Sequence, residues 1–159
     1  MKQLTRILIV VLLLNVIDLS CKKDDEPFYS IDPYELLLIR YVNQYRLTQG
    51  LDTLLLWHDV FITAREQSAE WKKTGIDTSG LQSRVDDIID RWEPVRLGVI
   101  LSRGYSSNKE DALNVVNAWI NDSSRNAILV DEYTHSSPGM VVGNSGEVYI
   151  TNFFLNLPY

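Results

Sequence analysis

Near its start the chain has one long run of mostly apolar residues, and it continues as amphipathic segments separated by polar turns. The run extends from Ile7 to Ile17 and follows Lys2 and Arg6. At about eleven residues it is shorter than the roughly twenty that a bilayer-spanning helix needs. This pattern predicts a cleaved export signal over residues 1–20 and argues against a membrane helix there.

Helical spacing begins after a polar stretch. The sequence Asp32-Pro33-Tyr34-Glu35 combines a cap residue, a first-turn proline and a glutamate three residues after the cap. It predicts a helix that runs to about Gln49, with Gly50 as a left-handed stop. Six apolar or aromatic residues share one face of this helix: Tyr34, Leu37, Leu38, Tyr41, Val42 and Tyr45.

Two more helices are predicted in the middle of the chain. One begins near His58 and ends before Gly75, and a shorter one follows Ser83 and ends before Pro94. The first carries Phe61, Ala64, Ser68 and Trp71 on one side, and the second has an apolar stripe of Val85, Ile88, Ile89 and Trp92.

Strand patterns are concentrated in the last third of the chain. Residues 95–101 alternate well enough to predict a strand, and two β-rich runs around Asn144-Ser145-Gly146 predict an antiparallel hairpin. Between them, Ser107 and Glu110 have the SxxE form of a capping box that opens a helix. That helix places Leu113, Val116 and Ile120 on one face with Ala112 and Trp119 beside it. The predicted class is α+β, with helices packed over an antiparallel sheet.

Composition indicates one globular domain that avoids nucleic acid. The chain has 159 residues, 45% of them hydrophobic and 10% aromatic, which is ample for a packed core. Its formal charge of -6 would repel phosphate backbones, because nucleic-acid affinity depends on Lys and Arg displacing counterions. We therefore expect no nucleic-acid partner.

The only cysteine, Cys21, lies where the apolar run gives way to charge. Leu19-Ser20-Cys21 resembles the lipobox of bacterial lipoproteins, whose cysteine accepts a diacylglyceryl group, although Asp18 stands where an aliphatic residue is preferred. The alternative is an ordinary secretory signal that leaves an unpaired thiol. We expect lipidation at Cys21 and an exported protein anchored to a membrane, either in the periplasm or at the cell surface.

Residues 21–32 are polar and predict a flexible tether between this anchor and the folded domain. The acidic part of the tether, Asp24-Asp25-Glu26, is similar to export tags of some Gram-negative surface lipoproteins. A merely solvated linker explains the same residues, and the sequence leaves both interpretations open.

Particular residues in these segments resemble the CAP superfamily (cysteine-rich secretory, antigen 5 and pathogenesis-related domains), also called SCP-like, in its bacterial single-domain form. The resemblance covers residues 33–159. The family's N..R, Gly-Leu and Leu-x-Trp pattern is matched by Asn43, Arg46, Gly50, Leu51, Leu55 and Trp57. An alanine-containing helix is matched loosely by Ala64 and Ala69, and W.nS..HR.nIL by Trp119, Asn121, Arg125, Asn126, Ile128 and Leu129. The closing strands are matched by Gly139, Val141, Tyr149, Thr151, Asn152 and Phe154.

This resemblance implies a three-layer α-β-α sandwich with an antiparallel sheet between helices. Many members have a groove in which two His and two Glu hold a divalent metal such as zinc. Here Asp77 is the nearest residue to the first groove histidine, Gly98 stands at the glutamate of GEN, and Arg125 replaces the second histidine. The tetrad is absent, so we expect neither a metal nor another cofactor.

Two histidines remain as candidates for chemistry. His58 is expected to be a capping or surface residue, whereas His135 lies just before a predicted strand and is a candidate for ligand contact in the groove or a loop histidine bonded locally. The sequence contains no HExxH, GxSxG, GxxxxGK or GxGxxG motif. The aspartates 86, 87 and 90 favour a solvated helix face over a calcium loop. Ser136 and Ser137 are adjacent and point to opposite sides of an extended chain, which is weak evidence for a nucleophile.

Three functions fit these observations. The first is a non-catalytic, lipid-anchored module that binds a small apolar ligand, a glycan or an envelope protein. The second is a hydrolase for extracellular peptide or cell-wall material, which requires a general base such as His135. The third is a structural surface protein whose fold only presents loops to a neighbour.

Overall fold

The computed structural model describes residues 30–158. The predicted export signal, Cys21 and almost all of the predicted tether lie outside the described residues. Within this range the chain forms five α-helices: α1 (Pro33–Thr48), α2 (His58–Thr74), α3 (Leu81–Trp92), α4 (Lys109–Asn121) and α5 (Ser123–Leu129). The four strands are β1 (Leu55–Leu56), β2 (Arg96–Gly104), β3 (His135–Val142) and β4 (Val148–Asn156). None of these helices combines the length and the apolar character needed to span a bilayer.

The strands form one sheet in the order β1-β3-β4-β2. The three long strands are antiparallel, as predicted, and the two-residue β1 adds a parallel pairing with the start of β3. The predicted hairpin is confirmed between β3 and β4, where Gly146 adopts a φ of 89° that favours glycine. The sheet is therefore mixed, and β1 and β2 are its two edges.

Helices cover both faces of the sheet, which confirms the α+β sandwich. Helices α1, α4 and α5 contribute to one core with the even-numbered residues of β4, and α2 and α3 contribute to the other with the odd-numbered ones. The first core contains Tyr34, Leu38, Val42, Ala112, Val116, Trp119, Leu129, Ile150 and Phe154. The second contains Val60, Ala64, Ile88, Phe153, Leu155 and Leu157. The period-two pattern of β4 thus separates two helical layers.

The start of α1 and the extent of α2 match the sequence prediction. Asp32 Oδ1 accepts a hydrogen bond from the Tyr34 amide (2.7 Å), and Glu35 reaches back to accept one from the Asp32 amide (2.8 Å). The predicted face of α1 is confirmed, since Tyr34 is buried and its partners along that face pack into the same core. Helix α2 ends at Gly75, whose φ is 73°.

Three predicted helix details were wrong. Helix α3 begins at Leu81, after a left-handed Gly80, and not after Ser83. Helix α4 is capped by Asn108, which accepts from the Asp111 amide at 2.8 Å, so the predicted capping box at Ser107 does not form. Its buried face consists of Asp111, Ala112, Val115, Val116 and Trp119. Leu113, predicted on that face, is 41% exposed.

Helix α2 lies very close to β3 because Gly139 has no side chain. A Cβ atom at this position would clash with the Arg65 backbone nitrogen. Ser68 Oγ donates to the Gly139 carbonyl oxygen at 3.0 Å and lies 3.0 Å from Thr151 Oγ1. This contact fixes the distance between α2 and the sheet.

A buried carboxylate, that of Glu35, joins α1, α2 and β3. Glu35 Oε1 accepts from Arg65 Nε and from the Met140 amide, both at 2.8 Å. Glu35 Oε2 accepts from Arg65 Nη2 at 2.7 Å and from the Asp32 amide at 2.8 Å. Both oxygens are thereby satisfied by two donors each, which is what a fully buried charge requires.

We expect Glu35→Gln to lower the free energy of unfolding by about 2–4 kcal/mol, because it removes the charge of a fully buried carboxylate that forms an ion pair with Arg65. Urea unfolding followed by far-UV circular dichroism measures the loss. Glu110→Gln, on the exposed side of α4, is the matched control and should change the midpoint little. Equal midpoints for the two variants would contradict this role of Glu35.

Candidate functional site

Gly98 lies in β2, and the space where a side chain would project is already filled. A Cβ atom at Gly98 would lie 2.5 Å from Tyr133 Oη and 3.1 Å from Ile128 Cγ2. Tyr133 is itself buried, and burial raises the pKa of its phenol. The position that carries a groove glutamate in the resembled family is therefore closed by the Tyr133 ring.

Arg125 and Asp77 lie on different parts of the molecule. Arg125, in α5, donates from Nη2 to the Leu101 carbonyl oxygen of β2 at 3.3 Å. Asp77 lies in the turn between α2 and α3, where its backbone carbonyl accepts a 2.6 Å hydrogen bond from Gln67 Nε2. The Asp77 side chain is exposed. Both residues hold local structure in place.

His135 is the first residue of β3 and belongs to an aromatic cluster. Its ring packs edge-on against Trp57, with centroids 4.7 Å apart, and Trp57 packs edge-on against Trp92 at 5.3 Å. His135 Nδ1 lies 2.8 Å from Thr134 Oγ1. Burial lowers the pKa of His135, which favours the neutral imidazole. His58, the other histidine, is exposed at the start of α2.

The sheet register places His135 and Gly98 on opposite faces. His135 is aligned with Leu155 of β4, and Leu155 is aligned with Leu97 of β2. Leu97 and Leu155 contribute to the core beneath α2 and α3, whereas Gly98 faces Tyr133 in the other core. The structure thus does not gather the four predicted groove residues into one site. Among residues 30–158, no three His, Cys, Asp or Glu side chains come close enough together to hold a metal ion.

Two residues of the family pattern, Asn43 and Arg46, hold nearby loops against α1 by hydrogen bonds to their backbone. Asn43 donates from Nδ2 to the Leu54 carbonyl at 2.9 Å and accepts from the Leu54 amide at 2.8 Å. The Arg46 guanidinium is buried and donates to the carbonyl oxygens of Asp52 (2.9 Å) and Leu129 (2.8 Å), among others. The N..R pattern therefore has a structural role in this chain.

Sequence reasoning did not find the open cleft between α2 and α3. The cleft has a volume of about 290 Å³ and adjoins a second depression of about 400 Å³. Charged residues of both signs line the first cleft, together with one aromatic ring: Asp59, Glu66, Asp87, Arg84, Arg91 and Trp92. The only sequence signal was the short turn between the two helices, which makes them antiparallel neighbours.

The charged side chains of the cleft are not paired with one another. In the described part of the chain, the side chains of Asp59, Glu66, Asp87 and Arg91 make no hydrogen bond or ion pair. Arg84 donates from Nη1 to Gln67 Oε1 at 3.0 Å, while its buried Nε has no partner among residues 30–158. The cleft thus offers both acceptors and donors whose hydrogen-bonding capacity the protein itself leaves unused.

Comparison with solved structures identifies the architecture. An outer surface protein from Borrelia burgdorferi superposes with a TM-score of 0.64 at 17% identity, covering 80% of this chain and 97% of that one. A protein with an SCP domain from Bacillus anthracis gives a TM-score of 0.61 at 15% identity over 80% of this chain. A cysteine-rich secretory protein from Staphylococcus aureus gives 0.58 at 19% identity over 82% of this chain.

The chain has a CAP-domain fold. It spans less than half of the B. anthracis and S. aureus proteins, 44% and 40% of their respective lengths. No family model and no curated protein matches the sequence. Because all three identities are below 20%, the comparison shows a shared fold and nothing further.

Burial lowers the pKa of His135 in the folded protein. Near and below the ordinary histidine pKa of about 6.5, the unfolded protein therefore binds a proton at this residue more readily than the folded protein does. The free energy of unfolding should therefore fall as pH is lowered from about 7.5 to about 5. His135→Gln should show a shallower fall in urea titrations across this range. His58→Gln replaces the exposed histidine and should keep the slope of the unmodified protein. An unchanged slope in His135→Gln would refute the assignment.

Proposed function

We propose that this CAP-fold protein is an exported, lipid-anchored module that binds a ligand at the cell envelope without catalysing a reaction. The observation that carries the proposal is the closed position at Gly98. There the Tyr133 hydroxyl occupies the space that a groove side chain would need, 2.5 Å from where its Cβ atom would lie. The filled position leaves no room for a glutamate that could bind a metal, so it supports a binding role over metal-dependent catalysis.

The structural relatives support export. By their descriptions, one is an outer surface protein, one is a secretory protein and one is an extracellular protein. An export signal over residues 1–20 is consistent with these three relatives. Cys21, directly after the signal, supplies the thiol for a diacylglyceryl anchor.

The surroundings of His135 do not favour the alternative, a hydrolase. Two neighbouring hydroxyls are already engaged as donors: Ser136 Oγ donates to Asn152 Oδ1 at 2.9 Å, and Ser137 Oγ donates to the Trp57 carbonyl at 2.6 Å. Both serines are fully buried. A nucleophile needs an accessible oxygen within hydrogen-bond reach of its base. This geometry supports the non-catalytic proposal.

The proposed lipid anchor predicts the mass of the mature protein and its presence in the membrane fraction. Mass spectrometry of the native protein should find Cys21 as the N-terminal residue of the mature chain, carrying a diacylglyceryl group. The protein should sediment with membranes, and Cys21→Ser should remove the lipid and release the protein. A signal cleaved elsewhere with an unmodified thiol at Cys21 would contradict lipid anchoring.

A binding module of this kind should not take up zinc tightly. We expect less than stoichiometric zinc after dialysis of the purified full chain, because Asp77, Gly98, Arg125 and His135 are not gathered into one site and neither Gly98 nor Arg125 has a metal-ligating side chain. Zinc sites need three or four ligands close together. Elemental analysis measures the bound metal. Tight one-to-one uptake that is lost in His135→Ala would overturn the metal-free proposal.

A further inference from the structure

The α2–α3 cleft is physically separate from the groove positions of the family pattern. None of Asp77, Gly98, Arg125 and His135 lines it. Gly98 faces the core on the opposite side of the sheet, and the aromatic cluster of His135 reaches the cleft only through Trp92. A ligand in this cleft would therefore contact none of those four residues.

The lining of the cleft is nearly balanced in charge. Three carboxylates, of Asp59, Glu66 and Asp87, face two guanidinium groups, of Arg84 and Arg91. An anionic polymer would meet those carboxylates within a chain whose formal charge is already -6. A neutral ligand incurs no such repulsion.

The unused hydrogen-bonding capacity defines the ligand further. Carboxylates only accept hydrogen bonds and guanidinium groups only donate them, so the wall of the cleft needs a ligand that does both. A hydroxyl group donates one hydrogen bond and accepts two. Both side-chain types are planar and can engage two adjacent hydroxyls at once.

The rest of the lining suits the carbon face of a sugar ring. Trp92 and Ile62 are partly exposed among the residues that line the cleft, and they supply apolar surface beside the charged groups. The electron-rich face of an indole attracts weakly positive C–H groups. A sugar ring combines a C–H face with a rim of hydroxyls, which matches this arrangement.

A peptide fits the cleft less well. Extended peptides add to an exposed strand edge, and helical peptides need an apolar groove. The two walls of this cleft are helices, whose backbone groups are internally bonded, and their facing side chains are charged. The main-chain pairing that gives peptides their affinity is therefore missing.

We propose that the α2–α3 cleft binds a neutral oligosaccharide, held by Asp59, Glu66, Asp87, Arg84 and Arg91 and stacked on Trp92. This inference rests on the proposed role as a binding module and names its ligand class. It does not depend on the lipid anchor, so an unacylated Cys21 would defeat the anchoring proposal and leave the glycan site to be judged by its own experiment.

The test uses the full chain, purified in detergent, on an array that carries maltohexaose, cellohexaose and chitohexaose, with heparin fragments and unrelated hexapeptides beside them. We expect at least one of the three neutral sugars to bind. Asp87→Asn should weaken that binding about tenfold or more, since a hydrogen bond to a charged group is lost. Asp90→Asn makes the same chemical change on α3 outside the cleft and should bind like the unmodified protein.

A second measurement locates the sugar without relying on weakened binding. Titration with the bound oligosaccharide should change the tryptophan fluorescence, and Trp92→Phe, which keeps an aromatic ring against Trp57, should remove most of that change. Absence of binding to all three neutral sugars would overturn the proposal. So would binding only to heparin or peptide, or equal binding by Asp87→Asn and Asp90→Asn.

Discussion

The arrangement of helices on the sheet depends on one buried charge, the Glu35 carboxylate. It accepts from an amide at the start of α1, from the Arg65 guanidinium of α2 and from the Met140 amide of β3, so three separate elements share its two oxygens. Glu35 belongs to the helical layer on one face of the sheet, Arg65 to the layer on the other face, and Met140 to the sheet between them. A neutral glutamine would accept through one oxygen only, whereas the carboxylate accepts from four donors on two oxygens and so joins all three elements.

Much of this architecture was predictable because its signals are local. The cap at Asp32, the stop at Gly75 and the hairpin at Gly146 each depend on a few adjacent residues, and all three form as predicted. The errors are local as well. Ser107 and Asn108 are both good caps, and the sequence alone cannot choose between neighbours. Leu113 is three residues from Val116, so helical spacing alone places both on one face, but the buried face of α4 is centred on Ala112, Val116 and Trp119 and leaves Leu113 exposed.

The candidate site was less predictable because it depends on contacts between distant residues. Glu35 was identified as part of a cap, but its partner Arg65 lies thirty residues further on and Met140 farther still. Asp87 had the pattern of a solvated helix face, and it is exposed, yet that face borders α2. Family motifs likewise gave the positions of Asn43 and Arg46 without revealing that both tie loops to α1.

Strand β2 forms an outer edge of the sheet, and the polar groups along it have a consequence for contacts between copies of the protein at high concentration. Arg96 forms ion pairs with Asp131 and Glu132 at one end, and Arg125 engages the Leu101 carbonyl near the middle. Charges and occupied carbonyls on an outer strand hinder its pairing with the same strand of a neighbouring copy. Copies of the protein should therefore not associate through edge-to-edge pairing of β2, even at high concentration.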